Sequence, residues 1–143
     1  MTKEILVSIK GEQFGNQMEE PSPIEIMTAG EYYFRNGNHY IKYEESFEDV
    51  TDTVQNLMKI RPKSIEVSKK GAVNVHMVFE EGKKDVTYYT TPFGTIQMGI
   101  ATTKINVQET DSNMDIQIDY ALDMNEEHVS DCVLSMNIKS IGA

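Results

Sequence analysis

From Met114 to Met124 every second residue is apolar: Met114, Ile116, Ile118, Tyr120, Leu122 and Met124 alternate with Asp115, Gln117, Asp119 and Asp123. Successive side chains of an extended strand leave opposite faces, so this period builds a sheet with one buried face and one wet face. A helix would scatter the same residues around its circumference. The alternation recurs along most of the chain, and that recurrence excludes a helical bundle.

Ile5, Val7 and Ile9 open the pattern, and Gly11 and Gly15 end it. After Pro21 and Pro23, the residues Ile24, Ile26, Thr28, Gly30, Tyr32 and Phe34 share one face, with Gly30 marking a bend or bulge. Asn36-Gly37 supplies the left-handed pair of a tight hairpin, and His39 to Glu45 returns from it. Phe47, Val50, Val54, Leu57 and Met58 also fit helical spacing, but β-branched Thr51, Thr53 and Val54 favour a strand from about Thr51 to Ile60. Short strands then surround Ile65 and Val67, and Val73 to Phe79, and a further one spans Val86 to Thr91, each bounded by Pro62, Lys70-Gly71, Glu81-Gly82 or Pro92-Phe93-Gly94. In the segment Thr95 to Gln108, Ile96, Met98 and Ile100 have one parity and Ile105 and Val107 the other, which requires a bulge near Ala101-Thr102-Thr103. Asp111-Ser112-Asn113 and Glu126-Glu127 are turns, and the last strand carries Cys132, Leu134, Met136 and Ile138.

Strands joined in series by tight turns form an antiparallel meander, which either exposes two edges or closes on itself. The expectation is therefore all-β: a single closed antiparallel up-and-down barrel of about eight to ten strands. One domain spans residues 1–143, a length that buries roughly 70% of the unfolded chain's surface.

A net charge of -10 with no stripe of Lys and Arg argues against a nucleic-acid partner. Lys69-Lys70 and Lys83-Lys84, each beside a glycine, read as solvated turn charges. Cys132 is the single cysteine, so no internal disulfide forms. No segment approaches the ~20 apolar residues of a membrane span, and the chain reads as a cytoplasmic protein with no membrane partner.

Motifs that carry chemistry are missing. Asp111-x-Asn113-x-Asp115 opens like a calcium loop but has Ile116 and Leu122 where that loop needs glycine and glutamate. His39, His76 and His128 lack partners at metal-ligand spacing, and His76 and His128 read as exposed. The parity of Cys132 places its thiol on the apolar face, where it is a small core residue. No phosphate loop, dinucleotide fingerprint or nucleophile elbow occurs, so no catalytic residue, cofactor or metal is expected. Glu44 and Glu45 point to opposite faces; the inward one requires a partner, for which Arg35, Lys42 and Lys59 on neighbouring strands are the candidates.

The run Tyr89-x-Thr91-Pro92-Phe93-Gly94-x-Ile96-x-Met98-Gly99-Ile100 resembles that of the DUF1934, or YwiB-like, family of small bacterial proteins of unknown function. Tyr43-Glu44-Glu45, Gly71 followed by Val75, Met77, Phe79 and Glu80, Asp119-Tyr120-x-Leu122 and Leu134-x-Met136-x-Ile138 extend the resemblance over the chain. It departs at Lys69-Lys70-Gly71, where relatives are expected to carry an arginine ahead of the glycine. The resemblance implies a lipocalin-like (calycin) barrel and no activity.

Two functions fit. In the first, a small apolar ligand sits in the barrel against Tyr32, Phe34, Tyr43, Met77, Phe79, Tyr120 and Met136, with Tyr43, Glu44, Glu45 or Lys59 orienting it. In the second, those side chains simply fill a packed barrel, and the protein is a structural or protein-interaction module whose acidic outer surface meets a basic partner of undetermined identity.

Overall fold

The computed structural model of the chain describes residues 1–15, 24–46 and 53–141. The proposed helical positions Phe47 and Val50, the strand start at Thr51 and the prolines Pro21 and Pro23 lie outside the described residues. Ten strands make up the fold: β1 (Glu4–Gly15), β2 (Ile24–Arg35), β3 (Asn38–Glu45), β4 (Val54–Ile60), β5 (Ser64–Gly71), β6 (Val75–Glu80), β7 (Lys84–Thr91), β8 (Gly94–Glu109), β9 (Asn113–Met124) and β10 (Glu127–Ser140). No helix occurs among the described residues.

The strands hydrogen-bond in the order β6-β5-β4-β3-β2-β1-β10-β9-β8-β7, every neighbour antiparallel. Each strand thus lies beside its neighbours in sequence, and β1 pairs with β10, which winds the meander into the expected up-and-down barrel. Closure is nearly complete. Where β6 faces β7 there is a seam without a ladder, pinned at one end by reciprocal 2.9 Å backbone bonds between Asn74 and Thr90. At the other end Gly82 N donates to Thr102 O at 2.9 Å and Thr102 N to Lys83 O at 3.1 Å.

Local sequence accounts for the turns. Asn36 and Gly37 take φ of 53° and 78°, the left-handed pair whose twist matches the flanking strands. Asn125 and Glu126, at 50° and 71°, repeat that geometry between β9 and β10, one residue ahead of the Glu126-Glu127 turn expected from sequence. The parity switch in β8 is a bulge between Thr102 and Lys104, and β10 carries a second between His128 and Ser130. Gly30 permits close approach: a Cβ there would lie 2.6 Å from the Lys42 carbonyl oxygen.

Inward side chains fill the middle of the barrel. Ile5, Ile41, Met58, Ile65, Phe79 and Ile118 are all fully buried, each contributing roughly 1.5–3 kcal/mol relative to exposure. Tyr120 closes on Phe79 edge to face, ring centroids 5.0 Å apart, and Cys132 is buried on this apolar side, as its parity implies.

Candidate functional site

A charged cluster inside the barrel is built by β3, β4 and β5. Their registers align Tyr43 with Asn56 and Asn56 with Lys69, one inward row across three strands, and Glu45 stands two residues further along β3 on the same face. Asn56 Nδ2 donates to Glu45 Oε1 at 2.8 Å. Lys69 Nζ donates to the same Oε1 at 2.6 Å and to Asn56 Oδ1 at 2.7 Å. Side-chain exposure is 9% for Glu45 and 21% for Lys69, so a largely buried ion pair is braced by a buried carboxamide.

Two phenols adjoin this cluster. Burial foremost, and the Glu45 charge second, push the Tyr43 hydroxyl far above the usual tyrosine range. The same two causes raise Tyr89, half-buried on β7 across the seam. Both therefore remain protonated donors at neutral pH. Glu45 Oε1 accepts from both Asn56 Nδ2 and Lys69 Nζ, and neither Oε2 nor the two phenolic oxygens has a hydrogen-bond partner among the described residues. The arrangement can hold a head group that both accepts and donates hydrogen bonds; it assembles no nucleophile with a general base.

Glu45 faces inward and Glu44 outward, where it accepts from Gln55 Nε2 at 2.6 Å. The partner of Glu45 is Lys69, which corrects the expectation of Arg35, Lys42 or Lys59. Lys42 and Lys59 have outward parity and lie over the Tyr33 and Tyr40 rings at 5.5 and 5.6 Å, while Arg35 is exposed beside the Asn36 turn. Reading Lys69-Lys70 as two solvated charges is likewise corrected: Lys70 is exposed, but Lys69 keeps the inward parity of Ile65 and Val67.

The residues expected to line one pocket are spread through the barrel. Tyr43 and Glu45 belong to the cluster, and Met77 is half-buried one row away, opposite Val67. Phe79, Tyr120 and Met136 pack into the core, where burial, with Cys132 alongside, raises the Tyr120 hydroxyl strongly. Tyr32 and Phe34 stand at the Asn36 end. There the Tyr32 hydroxyl lies 2.6 Å from His39 Nδ1, His39 Nε2 lies 2.8 Å from Glu109 Oε2, and Phe34, 61% exposed, covers the imidazole. β3 and β8 are five strands apart in the ring, so the His39–Glu109 contact crosses the barrel and straps that end. The sequence reading missed Asn56, Lys69, Tyr89 and this strap. His76 and His128 are exposed, and no group of three metal-ligating side chains occurs among the described residues. No helix among them is long and apolar enough to cross a membrane.

Ten antiparallel strands wound in chain order around an apolar core, with a braced Glu45–Lys69 pair inside, define a small up-and-down β-barrel protein. The chain belongs to the family described as "Domain of unknown function (DUF1934)", whose model matches residues 7–136. Among curated proteins it is similar to the "Uncharacterized beta-barrel protein YwiB" of Bacillus subtilis (strain 168), 25% identical over 126 residues covering 87% of this chain and 84% of that protein. Among solved structures, the crystal structure of the ywiB protein from Bacillus subtilis superposes with a TM-score of 0.83 at 21% identity, covering 98% of this chain and 93% of that one. That likeness establishes the shared fold.

Proposed function

We propose that the protein is a lipocalin-like (calycin) ligand-binding barrel, bacterial and cytoplasmic, that takes a small, mainly apolar molecule by its polar head. The head sits at Glu45, Asn56 and Lys69, and the body lies along the seam between β6 and β7 against Met77 and Tyr89. The observation that carries this reading is the inward Glu45–Lys69 pair flanked by two protonated phenols. A buried pair stabilises a fold no better than apolar residues of similar volume, so its placement beside the seam favours a binding role. No nucleic acid or membrane is among its partners.

A second reading, a packed structural or protein-interaction barrel, draws support from the filled middle of the core and from Val86 and Tyr88, 51% and 62% exposed on the outer face of β7. The neutral fluorescent probe N-phenyl-1-naphthylamine separates the two. Ligand binding requires saturable uptake by the wild-type protein, abolished in Met77→Trp at little cost in stability. No uptake by the wild type, together with a loss of about 1–3 kcal/mol in Met77→Trp through overpacking, would establish the packed barrel instead.

A further inference from the structure

A concavity of about 730 Å³ lies on the outer wall, away from the polar cluster. Two adjacent rows of outward side chains make it, each crossing β8, β9, β10, β1 and β2. One row runs Asn106, Gln117, Ser135, Lys10 and Glu25 in direct cross-strand register. The other runs Gln108, Asp115, Asn137, Ser8 and Met27. Five strands at ~4.8 Å spacing give a trough about 19 Å long, perpendicular to the strands.

Its chemistry is that of carboxamides and hydroxyls. Asn137 Nδ2 donates to Asp115 Oδ1 at 2.7 Å and to Asn113 Oδ1 at 2.9 Å, and Asn113 Nδ2 donates to Asp115 Oδ2 at 3.1 Å. These bonds fix the Asp115 carboxylate and the Asn137 carboxamide before any ligand arrives, which lowers the ordering cost of binding. The Asn106 and Gln108 carboxamides each present a donor and an acceptor side by side, the pattern that adjacent hydroxyl groups match. Gln117, whose Nε2 donates to Asp119 Oδ1 at 3.0 Å, keeps one donor and its acceptor, and Asn137, with both amide hydrogens engaged, offers its carbonyl oxygen. Glu25 and Asp115 outnumber Lys10 in a chain of net charge -10, so phosphorylated or sulfated polymers are repelled. Met27, 71% exposed, is the large exposed apolar side chain at the rim, too little to hold the side chains of an extended peptide.

We infer that this trough binds a neutral, hydroxyl-rich linear chain, an oligosaccharide, laid across the five strands. The inference is independent of the ligand proposed for the barrel interior, and failure of dye uptake there leaves it untouched.

The test is a titration of ¹⁵N-labelled protein with cellohexaose, maltohexaose and the hexamer of N-acetylglucosamine, with a Ser/Asn hexapeptide as competitor, following the side-chain carboxamide resonances. The expected result is saturable shifts of Asn106, Gln117 and Asn137 with at least one sugar. Affinity should fall about tenfold or more in Gln117→Ala and in Asn137→Ala, and Ser135→Trp, at the centre of the trough, should abolish binding while its backbone amide spectrum remains that of the folded barrel. The inference is overturned by the absence of shifts with all three sugars at millimolar concentration, by binding that survives Ser135→Trp, or by tighter binding of the peptide.

Discussion

Removing the ammonium of Lys69 tests whether the inner polar cluster serves the fold. Lys69→Met deletes the 2.6 Å bond to Glu45 Oε1 and the 2.7 Å bond to Asn56 Oδ1, leaving a carboxylate only 9% exposed with Asn56 as its remaining partner. Breaking a buried pair on one side costs roughly 3–5 kcal/mol. Lys69 is 21% exposed, so water replaces part of what is lost, and the expected cost is about 2–3 kcal/mol. For a 143-residue domain that lowers the melting temperature by about 7–10 °C. The informative variant replaces the whole cluster: Glu45→Met, Asn56→Leu and Lys69→Met together remove its carboxylate, carboxamide and ammonium at once. It should return to within about 1 kcal/mol of the wild type. Urea unfolding followed by far-ultraviolet circular dichroism reads both, with equal m-values confirming that the native and unfolded states stay comparable. A triple variant as unstable as Lys69→Met, or more so, would refute the reasoning, because the polar cluster would then contribute net stability.

Gly71→Ala should cost at least about 2 kcal/mol in the same assay, since φ is 131° and a Cβ would meet the Thr53 carbonyl oxygen at 2.2 Å; an unchanged midpoint would contradict the geometry. Phe79→Ala should lose about 3–5 kcal/mol, and a loss below about 1 kcal/mol would mean that the ring is not a core element. In an alkaline titration of phenolate absorbance, two of the seven tyrosines, Tyr43 and Tyr120, should remain protonated until the barrel unfolds. Their folded values are raised and the unfolded value is about 10, so their contribution to stability is complete below that pH and is lost as pH rises above it. Ionisation of all seven tyrosines with circular dichroism unchanged would contradict this.

The wall was legible because alternation, Asn-Gly and Pro-x-Gly turns and a parity switch are local signals, and each maps onto a strand, a left-handed pair or the β8 bulge. The bulge at His128–Ser130 has no such mark, since one extra residue beside polar neighbours leaves the apolar pattern nearly intact. The inward direction of Glu45 was readable from parity, but its partner was not: which lysine meets it depends on the β3–β4–β5 registers. Carrying the parity of Ile65 and Val67 one step further would have turned Lys69 inward. Tyr89 and Glu109 were out of reach for a different reason. They approach Glu45 and His39 across the seam and across the barrel, distances that closure sets and no single strand records.

Eight of the nine ladders join strands consecutive in sequence, and the ninth, β1 with β10, brings Ile5 to Ser140. Folding therefore divides into two locally assembled meanders, β1–β6 and β7–β10, and one late long-range docking whose loop entropy sets the rate. The seam has a matching consequence, since cutting the chain at Glu81–Gly82 severs no ladder. Ile141 N already reaches Glu4 O at 3.1 Å, so a short linker could join the two paired ends of β10 and β1. In such a circular permutant all nine ladders become local, and refolding should be faster than in the natural order at nearly the same equilibrium stability.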